Sequence, residues 1–308
     1  MKRILFILII VLTLVGCDNK VTSNKRFNVV ALNGPTGIGL VNMMEEDKHN
    51  FTLLSNTDEV VAGVVKGDFE IASIPANLAS TLYNKNQDVS VVAINTLGVL
   101  HVVENGDSIK SIEDLKGKTI LSTGKGATPE YSLNYILEKA GIIDDVNVEF
   151  KSEHSELAGL LSQGKADIAV LPQPFVTTAL EKNNNLRVAL DLNEEWEKLS
   201  NNNMITGVLI VKNSIIENNK KELDMFLEEY EKSINLGNNN IEQTAKLTEK
   251  YDILPENVAI KAIPECNIVY INNDEMKNLL TEYYNVLVEQ NPKSIGGKLP
   301  DEKFYYKN

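Results

Sequence analysis

One stretch of this chain occurs twice. GDFEIASIPANLASTLYNKNQDVSV begins at Gly67, and GKADIAVLPQPFVTTALEKNNNLRV begins 97 residues later at Gly164, with eight of 25 positions identical. Unrelated segments of ordinary composition match at roughly one or two such positions. The matches define a structural unit. A short helix beginning near Glu59 or Glu156 ends at Gly67 or Gly164. An apolar run, Glu70 to Ile74 or Asp167 to Leu171, then stops at Pro75 or Pro172, and helical spacing follows up to Val91 or Val188. A short apolar run bounded by a turn residue is a buried strand. Each copy therefore reads as helix, strand, helix, strand of the parallel α/β type. A repeat this long is not that of a solenoid; two similar lobes facing each other across a cleft are the architecture it predicts.

The remainder of the chain fits two lobes and little else. Its 308 residues fill one large or two medium cores, and 43% hydrophobic with 24% charged residues is a globular composition. The net charge is −13. Without Lys2 and Arg3 it becomes −15, with 28 basic against 43 acidic residues. That balance argues against nucleic acid as a partner and against broad adhesion to anionic lipid. The first residues are different in kind: Lys2 and Arg3 precede an eleven-residue apolar run, Ile4 to Leu14, which ends in Leu14-Val15-Gly16-Cys17. The run is too short to cross a bilayer, for which ~20 residues are needed, and has the form of an export signal.

In chain order, Phe27 to Leu32 reads as a strand, Asn33 to Gly37 as a Gly-rich turn, and Ile38 to Asp47 as a helix with one apolar face. Such a turn leaves unpaired N–H groups at the carboxyl edge of a sheet, where open α/β sheets take ligands; a plain tight turn is the competing reading. It is no nucleotide motif, because the P-loop Lys and Ser or Thr are missing and GxGxxG is absent. Strands at Phe51–Leu54 and Val91–Asn95 lead into Gly98-Val99-Leu100 and the second lobe. There Ser111 caps a short helical turn with Asp114 at its third position, Lys118–Leu121 is a strand, and STGKGATPEYSLNYILEKAG parallels the first turn. Thr128 suits an N-cap and Pro129 the first helical position. A ligand oxygen or an anion fits those hydroxyls and glycines; a merely well-capped helix is the alternative. After a strand at Val146–Phe150 and the second repeat copy, Gly207-Val208-Leu209 echoes Gly98-Val99-Leu100. One connection outward and one returning suit a two-strand hinge, Thr96 to Leu100 with Met204 to Val208; ordinary core strands are the rival. The rest is helical and expected to pack on the first lobe. Trp196 reads as partly solvated and Asn291–Asn308 as a terminal tail.

Cysteine and histidine usage gives no catalytic centre. With Cys17 in the leader motif, Cys266 has no partner for an internal disulfide and reads as a buried, inert thiol. His49, His101 and His154 are scattered, and GxSxG, HExxH and CxxC do not occur.

The leader with LVGC resembles a bacterial lipoprotein signal with its lipobox. The resemblance implies cleavage before Cys17 and diacylglycerol on its sulfur, a stable membrane anchor. From Phe27 onward the chain is similar to periplasmic-binding-protein type 2 solute receptors of ABC importers, and most to the nitrate/sulfonate/taurine and thiamine-precursor group. NGPTGIGL, KGDFEIASIPANLA, INTLGVL, SIEDLKGKTI, TGKGATPEYSL, QGKADIAVLPQPFV and PKSIGGKLPDEKFYY carry it.

It implies an α/β fold of two Rossmann-like lobes joined by two crossover strands. The leader would be 1–16, the tether 17–26, lobe 1 27–99 with 205–308, and lobe 2 100–204. It also implies a small-molecule ligand in the cleft, no cofactor and no metal, a permease and an ATPase as partners, and a monomer on the extracytoplasmic face of the membrane. Carried over by motif, the cleft residues would be Gly34, Pro35, Thr36 and Gly37 in the first turn, with Pro75, Ala76, Asn77, Thr96 and Leu97 beside it. Lobe 2 would add Gly126, Ala127, Thr128, Gln173, Pro174 and Phe175. An extracytoplasmic enzyme on the same fold is the alternative function. The chain departs from the sulfonate pattern in charge: beyond the leader it has only Arg26 and Arg187, neither at a cleft loop, so a bidentate clamp for an anion is missing. A neutral or zwitterionic heteroaromatic or amide solute then fits as well as a sulfonate.

Overall fold

The computed structural model describes residues 25–85 and 88–308. The leader, Cys17 and most of the tether expected at 17–26 lie outside the described residues. From Asn28 the chain builds β1 (Asn28–Leu32), α1 (Pro35–Ile38), α2 (Val41–Met44), β2 (Asn50–Leu54), α3 (Thr57–Lys66), β3 (Ile71–Pro75), α4 (Ala76–Asn84) and β4 (Val89–Leu97). It then crosses into a second sheet through β5 (Leu100–Asn105), β6 (Thr119–Ser122), α5 (Thr128–Lys139), β7 (Asn147–Phe150), α6 (His154–Ser162), β8 (Ile168–Pro172), α7 (Phe175–Lys182), β9 (Leu186–Asp191) and α8 (Leu192–Ser200). The return runs through β10 (Ile205–Lys212), α9 (Asn213–Asn218), α10 (Lys220–Asn239), α11 (Ile241–Lys250), α12 (Glu256–Ala262), β11 (Ile268–Ile271) and α13 (Asn273–Gln290). No helix among the described residues is long and apolar enough to cross a membrane.

The two sheets repeat one plan. Their orders are β11-β4-β10-β3-β1-β2 and β7-β6-β8-β5-β9, so β4-β10-β3-β1-β2 corresponds to β9-β5-β8-β6-β7. In each, the strands of the repeated unit run parallel, and the strand that has just crossed between lobes is inserted antiparallel beside β3 or β8. Register aligns the insertions: Gly207 pairs with Pro75 and Leu100 with Pro172. Gly207 is therefore the counterpart of Leu100, and the repeated Gly-Val-Leu tripeptide is offset by two residues rather than structurally equivalent.

Local chemistry explains the element ends. Asn56 caps α3 by accepting from Asp58 N at 2.8 Å, and Gly67, at φ 88°, closes it with N–H bonds to Gly63 and Val64 carbonyls. Ser111 and Asp114 form the expected capping box. The helix expected over Ile38–Asp47 is broken at Gly39. Ser233 Oγ donates to the Gly39 carbonyl at 2.7 Å, and a β-carbon at Gly39 would stand 3.5 Å from the Tyr230 hydroxyl oxygen. The long helix α10 thus packs directly on the break between α1 and α2. α5 is capped at Ala127, so Thr128 and Pro129 sit one position further in than the sequence suggests.

Three expectations are corrected by long-range packing. Trp196 is fully buried; its indole lies 4.8 Å from the Tyr135 ring and 5.5 Å from that of Tyr283, and its Nε1 donates to Asn202 at 3.0 Å. α13 thus packs against helices of both lobes, not the first alone. The residues after Asn291 are no loose tail: Ile295 and Phe304 are fully buried, and Tyr306 N donates to the Val91 carbonyl at 3.0 Å. Strand β11, unmarked in the sequence, pairs with β4. If the last segment is core, Phe304→Ala should lower unfolding free energy by about 3–5 kcal/mol in urea titration; a loss under about 0.5 kcal/mol, as at a surface site, would contradict this packing.

Candidate functional site

The carboxyl ends of the parallel strands of both sheets converge on one cavity of about 790 Å³ of empty space, part of it open to solvent. Its walls come from equivalent places in the two lobes. After β1 stand Asn33 to Thr36 and after β6 Gly124 and Ala127 to Pro129; after β2 stand Ser55 and Thr57 and after β7 His154. After β3 the wall is Pro75, and after β8 it is Gln173 and Phe175, while Thr96, Val99, Leu100, Thr206 and Gly207 bring in the crossovers. Each lobe also ties its first two strand ends together. Asn33 Nδ2 donates to Ser55 Oγ at 3.1 Å, and Thr123 Oγ1 lies 2.5 Å from His154 Nδ1.

Of the residues expected in the cleft, Gly34, Pro35, Thr36, Pro75, Thr96, Ala127, Thr128, Gln173 and Phe175 line the cavity. Gly37, Ala76, Asn77, Leu97, Gly126 and Pro174 stand behind the lining. A β-carbon at Gly37 would meet the Leu32 carbonyl at 2.9 Å, so that glycine serves the turn. Ala76 is fully buried and its carbonyl accepts from Tyr284 at 2.8 Å. Leu97 N donates to the Asn267 carbonyl. Asn77 is fully buried, and its Nδ2 donates across the lobes to the Gly126 carbonyl at 3.2 Å and to the Ser294 carbonyl at 3.1 Å. Opposite Pro174, a β-carbon on Gly34 would lie 3.9 Å from the proline ring. With Lys261 on α12 paired to Glu181 on α7 at 2.8 Å, the lobes touch on both flanks of the cavity.

The lining holds no Asp, Glu, Lys or Arg among the described residues. Arg26 pairs with Asp47, Arg187 with the buried Glu104 at 2.7 Å, and Lys125 lies over the Phe150 ring, all away from the cavity. The amino end of α5, which the sequence offered to an anion, already has one: Glu130 Oε2 accepts from Gly126 N at 2.6 Å. Gln173, buried at the start of α7, accepts with Oε1 from Thr177 N at 3.2 Å and Thr177 Oγ1 at 2.8 Å. This fixes the amide and leaves its NH2 end for the cavity.

His154 is the wall residue that sequence reasoning missed. Only tertiary structure sets it against the Phe175 ring, at 5.2 Å, and beside Thr123. Burial pushes its pKa down from 6.5 to about 4, so the ring is neutral at physiological pH. Cys266 is buried and burial pushes its thiol well above the ordinary range, which removes it as a nucleophile.

A family model described as "Menaquinone biosynthesis" matches residues 22–288. Over 162 residues the chain is 27% identical to a candidate binding protein of Brucella abortus, a match covering 52% of this chain and 49% of that one. The chain thus spans about half the length of the curated relatives it matches. Among solved structures, an ABC transporter from Parabacteroides distasonis superposes with a TM-score of 0.77 at 24% identity, over 92% of this chain and 99% of that one. The periplasmic aliphatic sulphonate binding protein of Escherichia coli gives 0.73 at 16% identity, over 92% and 93%. These likenesses are of fold.

The His154 shift has a measurable sign. Above pH 6.5 the folded and unfolded chains both carry the neutral ring; between 6.5 and about 4 the unfolded chain takes up a proton that the folded one refuses, so this residue removes stability as pH falls through that window. Proton NMR of the native protein should find the His154 ring neutral down to about pH 4; a midpoint near the unperturbed value of about 6.5 would contradict a shielded ring.

Proposed function

This chain belongs to the family described as menaquinone biosynthesis, it has the two-lobed α/β fold of ABC-type import binding proteins, and on that premise we propose that it is the solute-binding component of an importer. It captures one small molecule between its lobes and hands it to a permease driven by an ATPase. The observation that carries this reading is a single cavity walled by equivalent loops of two lobes and lined without an ionised side chain. Binding energy there is spread over both lobes, so the solute favours the closed arrangement by contacts that the separated lobes lack.

The family description favours a second reading, an enzyme acting on a small metabolite. That reading needs a group that moves a proton at the bound molecule. Among the described residues the one titratable imidazole or carboxyl group in the lining is His154, whose pKa of about 4 makes it a feeble base at neutral pH. Solute capture without conversion is the better account.

The remaining assignments belong to the same proposal. Lobe 1 comprises 27–99 and 205–308, and lobe 2 comprises 100–204, with hinges where β4 leads to β5 and where the chain returns into β10. The cavity-lining residues Gly34, Pro35, Thr36, Pro75, Thr96, Ala127, Thr128, Gln173 and Phe175 touch the solute. Gly37, Ala76, Asn77, Leu97, Gly126 and Pro174 shape the loops that do. Lipid on Cys17 holds a monomeric body on the extracytoplasmic face of the membrane; the LVGC motif after an eleven-residue apolar run supports it.

Mass spectrometry of the protein extracted from its own membranes in detergent tests both halves. It should show a chain beginning at Cys17 with covalent lipid, and one small molecule per chain that is recovered unchanged after prolonged incubation. Conversion of that molecule to a product would overturn the binding reading, and an unlipidated, uncleaved chain would overturn the anchor.

A further inference from the structure

Resting on the reading of the cleft as a solute site, we propose that its ligand is uncharged and presents a carbonyl or ring-nitrogen acceptor to the amide NH2 of Gln173, which makes Gln173 the residue that selects it. A charged solute entering this cavity leaves water for a lining with no ion of opposite sign, a transfer that heavily penalises it. At α5 and α7 the alternative source of positive potential, a helix amino end, is already partly engaged. Behind the lining, Glu130 accepts from Gly126 N just before α5, so a carboxylate already stands near that amino end. Pro129 and Pro174 have no N–H to give, and Gln173 Oε1 takes up Thr177 N at α7. A zwitterion fares no better, since it needs a partner of each sign and the lining has neither.

What the lining does hold is directional and neutral. The carbonyl of Gln173 is pinned by two bonds from Thr177, so the orientation of its amide is fixed from behind and its NH2 is a preorganised donor. Phe175 and the neutral ring of His154, 5.2 Å apart, with the prolines at 35, 75, 129 and 172, supply rigid apolar faces that accept a flat, weakly hydrated body. An uncharged ring or amide loses little hydration on entering and gains the Gln173 bond. An anion of the same shape would find no cation in the lining.

The test uses paired probes that differ in charge alone. Isothermal calorimetry of the unmodified mature protein, freed of bound solute, is carried out with nicotinamide against nicotinate, benzamide against benzoate, and with taurine, methanesulfonate and nitrate. The amides should bind at least about a hundredfold more tightly than their carboxylates, with no heat from the three remaining anions. Gln173→Glu keeps the oxygen that caps α7 and replaces the donor by an anionic acceptor. It should weaken amide binding by about tenfold or more, measured on protein whose circular dichroism shows it to be folded. Equal or tighter binding of any anion overturns the ligand class, as does failure of both amides to bind, and undiminished amide binding by Gln173→Glu overturns the role of that residue. None of these results touches the solute-binding reading, which falls only if the molecule carried by the native protein is chemically altered.

Discussion

Each sheet is completed by a strand that has just come from the other lobe. β10, entering from the second lobe, lies between β4 and β3, and β5, entering from the first, lies between β9 and β8. Neither inserted strand is an edge, so the second sheet needs the outgoing crossover and the first needs the returning one to be complete. The crossovers therefore set the distance between lobes, and they are tightly built. A β-carbon on Gly98 would collide with Asn193, whose Oδ1 accepts from Leu100 N at 3.3 Å, and Thr206 Oγ1 donates to the Leu97 carbonyl at 2.5 Å. The pairing that places Gly207 on Pro75 and Leu100 on Pro172 aims both sets of strand ends at the same space. The cavity follows from that register.

Behind the cavity the lobes also share a core. Trp196, packed on Tyr135 within the second lobe, meets Tyr283 of α13, and Asn77 reaches the Gly126 carbonyl. On the opposite flank the contact is an exposed ion pair, Lys261 with Glu181, of the sort that contributes at most about 1 kcal/mol. In the proposed binding cycle, opening would be cheapest on the α12 and α7 side, and a solute that touches Thr36 and Ser55 on one wall and Gln173 and Phe175 on the other would close it.

Much of this was legible because duplication and period report local structure. The apolar runs before Pro75 and Pro172 are the strands β3 and β8, and Ser111 with Asp114 capped the turn it predicted. What misled was decided by partners distant in sequence. Trp196 sits in an acidic, amphipathic helix, and its indole is covered by Tyr135 of α5 and Tyr283 of α13. Phe304 to Tyr306 follow loop-like residues, and distant partners, Val91, Tyr83 and Tyr284 among them, turn them into core. At the cleft, motif resemblance found the loops and blurred the side chains within them: Asn77 faces the other lobe's backbone, while His154, with no motif around it, reaches the cavity through its pairing with Thr123. Glu130, in the first turn of α5, accepts from Gly126 N behind the cavity wall, a bond that sequence spacing did not reveal.

The central claim is that the charge-free cavity is held closed by a solute bridging two lobes. Small-angle scattering on the protein before and after removal of its bound molecule by partial unfolding and refolding tests this most directly. The radius of gyration should rise on removal and fall again when the same molecule is returned. An unchanged radius, with occupancy verified by mass, would mean that the lobes are fixed and that the crossovers are struts, not hinges.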